Sequence, residues 1–560
     1  MIRTHDPGAC VRLIIGSTLF VLVACTGDSG TPPEPPCDTP TTFQVGEVRT
    51  FSGPADVACI VIARTSAASE FIVITANVTE GAQARAYTVS SSLAPSAAAN
   101  AASSLALPDV SGSIEARIRR REQQRLAART SAIAPSRARA NASRPRGITA
   151  AVATGDTITY RVADVASGDQ CANYTEVRAV VRALGTTTII AQDVLASATG
   201  FTTDDFNAMS AQFDATIVPT TIDWFGAPSD INGDSRVTVL ITPKINALTP
   251  PGSSGYVSGF FLYSDFLPRA AAAESPACAS SNEQEILYLL APDPNGTING
   301  NRISVETAWE SARGTTAHEL QHMISYGVRA TGGAEPEAIW LNEGLSHLAE
   351  EVAGRAMRGY SDARSLTWND VLADLDAFDS FFRQNLLRFR LWMTRPDLSS
   401  PLSDNAATQL ASRGAAWALV RYSIDQYAGA NQRAFTRALV TGPQSGVQNL
   451  AARTGASTDD LLGGFLVAHG AAPAIAGLNA RFRYTTWAMR DVMSELTGGT
   501  YPLAVTALPA MVNTQSWFGS GNYFVLTRAA GERATTLHMR SGDGEPVTFD
   551  GARVHVARVK

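Results

Sequence analysis

The apolar positions of this chain change their spacing several times, and each change marks a different kind of element. From about residue 43 to 112, short β-rich runs alternate with turns, as in Phe71-Ile72-Val73-Ile74 and the run from Val57 to Ile62. This predicts a small all-β region. From about 150 the pattern becomes mixed. Thr157–Val162, Thr187–Ile190, Arg236–Ile241 and Glu285–Leu290 read as strands, and Thr202–Ile217 as a helix entered through a Thr-Thr-Asp-Asp cap. Between 356 and 490 the spacing is helical, as in Val371, Leu372, Leu375, Phe378, Phe381 and Phe382. Short strands return beyond 490, at Tyr523–Thr527, Val547–Phe549 and Arg553–Val556. The expected fold class is therefore α+β and multidomain. It has a mixed region at 150–355, a helical subdomain at 356–490, and small β domains at 43–112 and 491–560.

Composition supports folded units rather than a disordered chain. The chain has 560 residues, 45% hydrophobic and 17% charged, with a net charge of −6. That charge is too mild to argue for nucleic acid. Arg117, Arg119, Arg120, Arg121, Arg125, Arg129, Arg137, Arg139, Arg144 and Arg146 do crowd one stretch, but no aromatic residues are interleaved for base stacking. Residues 113–149 are read as a linker or pro-segment.

The N-terminus reads as an export signal over residues 1–24. Arg3 and Arg12 precede an apolar run from Leu13 to Ala24, about half of what a bilayer span needs. The run ends in Leu22-Val23-Ala24-Cys25, which resembles a bacterial lipobox. Cys25 is thus the expected lipidation site and the one expected contact with a membrane, on an exported cell-envelope or secreted protein. A Thr/Gly/Ser/Pro-rich tether follows, over 25–42. Cys37, Cys59, Cys171 and Cys278 remain for an oxidising compartment; Cys37 with Cys59 and Cys171 with Cys278 is the economical pairing, other connectivities staying open.

The chemistry centres on His318-Glu319-Leu320-Gln321-His322. Two histidines four apart on a helix share one face and can fill two corners of a zinc tetrahedron. Glu319 is offset beside that face, where it can take a proton from the water that zinc activates. Val305, Trp309, Ala312, Leu320 and Met323 form the opposite, core-facing stripe. A loop containing Gly327, Gly332, Gly333 and Pro336 lets the chain double back into a second amphipathic helix over 340–352. There Leu341, Leu345, Leu348 and Val352 share one face, and Glu343, His347 and Glu350 the other. Glu343 is the expected third metal ligand, with His347 and Glu350 as possible outer partners of the ligands.

HExxH followed by Asn-Glu on a second helix is the gluzincin pattern, and the chain resembles the hyicolysin-like family of secreted bacterial metallopeptidases. The resemblance runs through Asp230–Ile241, Ser281–Leu289, Thr316–Tyr326, Trp340–Glu350 and, more weakly, Arg413–Tyr427. It implies a zincin-type catalytic domain, a mixed sheet with an active-site helix. It also implies a zinc endopeptidase acting on proteins or peptides, with His318, His322 and Glu343 as ligands and Glu319 as base. Where thermolysin carries Asp four residues after its ligand Glu, this chain has His347, with Glu350 a turn further. Tyr326 or another tyrosine could stabilise the reacting oxyanion. In zincins an edge strand pairs with the extended substrate, and Glu285–Leu290 is the candidate by position. A zinc aminopeptidase is the second reading; no Gly-rich exopeptidase motif precedes His318. A third is a non-catalytic surface-binding lipoprotein that keeps the peptidase fold. Asp230, Asn232 and Asp234 alternate as in a calcium-binding turn. Serine stands at 235 in place of the expected glycine and Ile241 in place of the closing glutamate, so calcium is not favoured.

Overall fold

The computed structural model describes Cys37 and residues 39–93, 110–128, 152–167, 169–271, 277–404 and 409–560. The description below concerns Thr39–Lys560. Cys25 and the apolar run before it lie outside the described residues. No helix among the described residues is long and apolar enough to cross a membrane.

Fifteen strands make three sheets among the described residues. The first four are β1 (Val48–Ser52), β2 (Ile60–Ile62), β3 (Ser69–Asn77) and β4 (Arg85–Ser91). The middle of the chain contributes β5 (Thr157–Ala163), β6 (Tyr174–Leu184), β7 (Thr188–Asp193), β8 (Val237–Ile241), β9 (Gly259–Phe261) and β10 (Ile286–Leu289). The last five are β11 (Val505–Ala507), β12 (Met511–Ser516), β13 (Ser520–Arg528), β14 (Thr535–Arg540) and β15 (Ala552–Arg558).

The two β regions expected as separate flanking domains are woven together. One sheet runs β1-β15-β3-β13-β11 and the other β12-β4-β14-β2, so both draw on the two ends of the chain. The strand β3 shows why they cannot stand apart. Its side chains alternate between faces. Phe71 and Val73 enter the core between the two sheets, while Ile72 and Ile74 join the main core of the protein. Val547–Phe549, expected as a strand, is irregular, and Val57–Ala58 ends a short helix, Gly53–Ala58.

The middle sheet has the order β5-β6-β7-β8-β10-β9. The strands β7, β8 and β10 are parallel and buried at every residue, as expected of strands covered on both faces. Glu285–Leu290 corresponds to β10, which lies between β8 and β9 and so is not an edge. The edges are β5 and β9, and the one beside β10 is β9, antiparallel to it. The helix Thr203–Gln212 packs on β6 and β7 and starts at a capping box between Thr202 and Asp205. Cys171 and Cys278 form a disulfide.

The helix Val305–Gly332 packs against β9 and β10. Ser304 caps it by accepting from Thr307 N–H. It runs straight through Gly327, and the reversal falls at Gly333, whose φ of 67° suits glycine. The second helix, Ile339–Met357, then returns alongside it. No face of that second helix is solvated; Glu343, His347, Glu350 and Glu351 are all buried. The helix Leu410–Tyr427 packs along them, and the helix Arg383–Thr394 reaches His347 through Asn385 and Arg388. A Cβ on Gly414 would lie 2.1 Å from Phe389 N, so these last two helices meet backbone to backbone, which brings Arg388 and Arg413 together beside the site.

Candidate metal centre

The antiparallel return of the 339–357 helix aims its acidic face at the HExxH face. His318 Nε2 and His322 Nε2 lie 3.1 Å apart. Glu343 reaches both, with Oε2 3.7 Å from His318 Nε2 and Oε1 3.7 Å from His322 Nε2. A fourth group comes from a helix far upstream, Val110–Ala127, whose Glu115 Oε1 is 3.7 Å from His322 Nε2. One ligand atom from each of Glu115, His318, His322 and Glu343 lies within 4.8 Å of the others, and all four residues are buried.

This donor set fits a zinc ion. Zinc–nitrogen and zinc–oxygen bonds of about 2.1 Å give a tetrahedron with edges of about 3.4 Å, close to the separations here. Burial holds the pKa of both His318 and His322 well below the usual imidazole value, and nearby arginines push the same way. Both rings are therefore neutral, the form that binds a metal.

Glu319 sits beside the cluster, with Oε1 4.0 Å from His318 Nε2. Its Oε2 accepts from the backbone N–H of Phe261, at 2.9 Å, and from Arg119 Nη2, at 3.1 Å. Burial raises its pKa well above the ordinary carboxylate value and the neighbouring Glu115 adds to this, while Arg119 opposes it. A base raised in this way holds a proton more tightly once it has taken one.

Behind the ligands, Glu350 Oε1 joins His318 Nδ1 at 2.7 Å to His347 Nδ1 at 2.9 Å. Arg413 Nε donates to His347 Nε2 at 3.1 Å, which leaves the His347 proton on Nδ1, facing Glu350. Arg413 Nη2 also lies 2.8 Å from Glu343 Oε2. Burial pushes Glu350 up to about 8, against the pull of Arg388 and Arg413. The two ring nitrogens of His347 are thus taken up by Glu350 and Arg413, and its ring centre is 4.7 Å from that of His318; His318, His347 and Glu350 form a second buried donor group behind the first. A small cavity opens onto the cluster, lined by Glu115, Gly259, His318, Glu319, Arg388 and Arg413 among others.

A quarter of the chain is similar in sequence to a known protease. Over 143 residues it is 25% identical to the neutral metalloprotease ShpI of Staphylococcus hyicus. The match covers 25% of this chain and 29% of that relative, so it is distant and partial. No family model matches the chain.

The remaining sequence candidates fall elsewhere. Tyr326 is buried in an aromatic group with Phe261, Tyr263 and Phe266. Asp230 and Asp234 accept from the backbone N–H groups of Ser235 and Arg236, so their carboxylates close their own turn. Arg388, Arg413, Glu115 and Arg119 were not singled out as site residues from sequence. Arg413 opens the weak 413–427 resemblance, which was the available signal. Glu115 and Arg119 lay in the stretch read as a linker or pro-segment, and nothing local points them toward residue 319.

Proposed function

We propose that this protein is a zinc-dependent endopeptidase whose metal ligands are His318, His322 and Glu343 and whose general base is Glu319. The convergence of His318 Nε2, His322 Nε2 and the Glu343 carboxylate, with Glu319 beside them in a buried cavity, carries this reading. The partial likeness to a neutral metalloprotease supports the same reaction class.

When bound, zinc supplies a Lewis acid that polarises the scissile carbonyl and lowers the pKa of water. The chain's own groups do the rest. Glu319 takes the proton from the attacking water and delivers it to the leaving amine. Glu350 holds His318 by its Nδ1, fixing the ring's direction, and His347 and Arg413 hold Glu350 and Glu343 in turn. Arg388, on the cavity wall, supplies positive charge for the carbonyl oxygen as it becomes negative. The edge strand β9 receives an extended substrate by strand addition, since its outward side, marked by the Phe261 N–H, faces Glu319. An extended protein segment is thus the substrate class.

The test is hydrolysis of casein by the purified protein, alongside Glu319→Gln and a measurement of bound zinc. The proposal requires activity and about one zinc per chain in the parent, and zinc without activity in the variant. Detectable hydrolysis at the same rate in both would refute it.

A further inference from the structure

The helix Val110–Ala127 enters the metal site with two charged side chains, one for each half of its chemistry. Glu115 Oε1 lies 3.7 Å from His322 Nε2 and belongs to the converging donor set. Arg119 Nη2 lies 3.1 Å from Glu319 Oε2. The two are four residues apart, so they stand one above the other on the same helical face. We propose that this helix is a built-in inhibitor of the site: Glu115 supplies the fourth metal ligand, and Arg119 ties up the general base. The inference rests on the metallopeptidase reading above and adds the regulation of that same site.

Three observations favour it over an accidental contact. First, a catalytic zinc site keeps one of its four positions open for water, and the other three groups here are His318, His322 and Glu343. A carboxylate in the fourth place displaces the nucleophile. Second, Arg119 is fully buried and held by its own helix, with Nε 2.5 Å from Glu115 and Nη1 2.7 Å from Glu122. It reaches Glu319 as a pre-positioned cation whose remaining donors are already satisfied, which is how a buried guanidinium becomes tolerable. Third, the helix is fastened to both sides of the site. Arg121 Nη2 donates to Ser167 O, beyond β5, and Gln123 Nε2 donates to Glu337 O, ahead of the second metal-site helix. Ala116 packs on Ile339.

The helical conformation itself explains why the segment would block without being cut. A peptidase that takes its substrate by strand addition needs an extended chain along β9. In a helix the backbone N–H and C=O groups are turned to one another along the axis and cannot pair with that edge. The segment therefore fills the cleft through side chains while its peptide bonds stay out of reach.

The experiment uses the full chain loaded with Co2+ in place of zinc, which reports its ligands through visible absorption. Glu115→Gln weakens the fourth ligand. Ala116→Arg leaves every donor intact but wedges the helix off Ile339. In the parent chain, bound cobalt should give the spectrum of a protein-filled coordination shell. Both variants should shift that spectrum in the same direction and raise hydrolysis of a short quenched peptide on the order of tenfold or more, as removal of a self-occluded state requires. A gain of activity cannot come from misfolding. Cobalt bound with the same spectrum and rate in all three proteins would overturn the inhibitory helix while leaving the metal site standing. No cobalt in the parent chain would overturn the metallopeptidase reading and this inference with it.

Discussion

Glu350 and Glu351 are neighbours on one helix, both buried, and they belong to two clusters of opposite character. Glu351 is surrounded by donors. Arg355 Nε and Trp487 Nε1 bind its Oε1 at 2.7 and 2.9 Å, Trp417 Nε1 binds Oε2 at 2.9 Å, and Arg421 lies 3.6 Å away. Burial alone would raise its pKa, but these partners overcome it and the net shift is downward. Glu350 faces two imidazoles, and there burial prevails and the pKa rises to about 8. One cluster neutralises its charge internally. The other gathers nitrogen and carboxylate donors around a shared point and lacks enough positive charge of its own to balance them. Buried polar residues by the dozen do not mark a site; a surplus of converging lone pairs does.

The contrast can be broken most sharply at Glu319. Glu319→Gln should lower peptide hydrolysis about 10³-fold, within the range for removing a general base, with zinc content unchanged. Parallel metal analysis and kinetics check this, and loss of zinc would mean that Glu319 is a ligand instead. Next in size is Glu351→Ala, which leaves Arg355 and Arg421 facing each other without their shared carboxylate. It should destabilise the fold by about 3–5 kcal/mol in denaturant unfolding. If zinc affinity fell with no loss of stability, the division into two clusters would fail.

Glu350→Ala should have the converse effect. Freeing His318 and His347 should weaken zinc binding by about 10–100-fold, read by competition with a chelator, with a smaller change in stability. The smallest effect concerns a buried histidine outside both clusters. Burial lowers His469 to about 3, with Arg490 adding to the shift, and its Nε2 meets Tyr484 Oη at 3.1 Å. Its folded-state pKa is below the unfolded value, so the unfolded chain binds the extra proton first. The stability this residue contributes is complete above about pH 6.5 and is lost as the pH falls toward 3. Between pH 6.5 and 5.5 the loss should be about 1 kcal/mol in metal-free protein, and His469→Phe should flatten that slope.

What could be read from sequence was what lies close in sequence. The HExxH helix, the acidic face of the 339–357 helix and the cap at Thr202 depend on spacings of three, four and seven residues, which a local pattern displays. In the middle sheet β5, β7, β8 and β10 were found where apolar residues ran together, whereas β6, Tyr174–Leu184, whose burial alternates along its length, was not. The terminal sandwich escaped because its neighbours are far apart in sequence: β3 pairs with β13, and Ser69 faces Arg528. The edge strand β9 escaped because three residues, Gly259-Phe260-Phe261, are too few to show a period. The same holds for the site. His318, Glu319, His322 and Glu343 lie within one helical hairpin, whereas Arg388, Arg413 and the Glu115–Arg119 pair arrive through tertiary packing. The Arg-rich stretch was the extreme case, for its composition suggested a solvated segment while two of its helix's charged residues are buried at the metal site.

Anomalous X-ray diffraction from a crystal of the zinc-loaded protein, collected on both sides of the zinc absorption edge, tests the central claim most directly. The account predicts one strong peak per chain, within bonding distance of His318 Nε2, His322 Nε2 and the Glu343 carboxylate. No peak there, or the strong peak at another set of ligands, would contradict it.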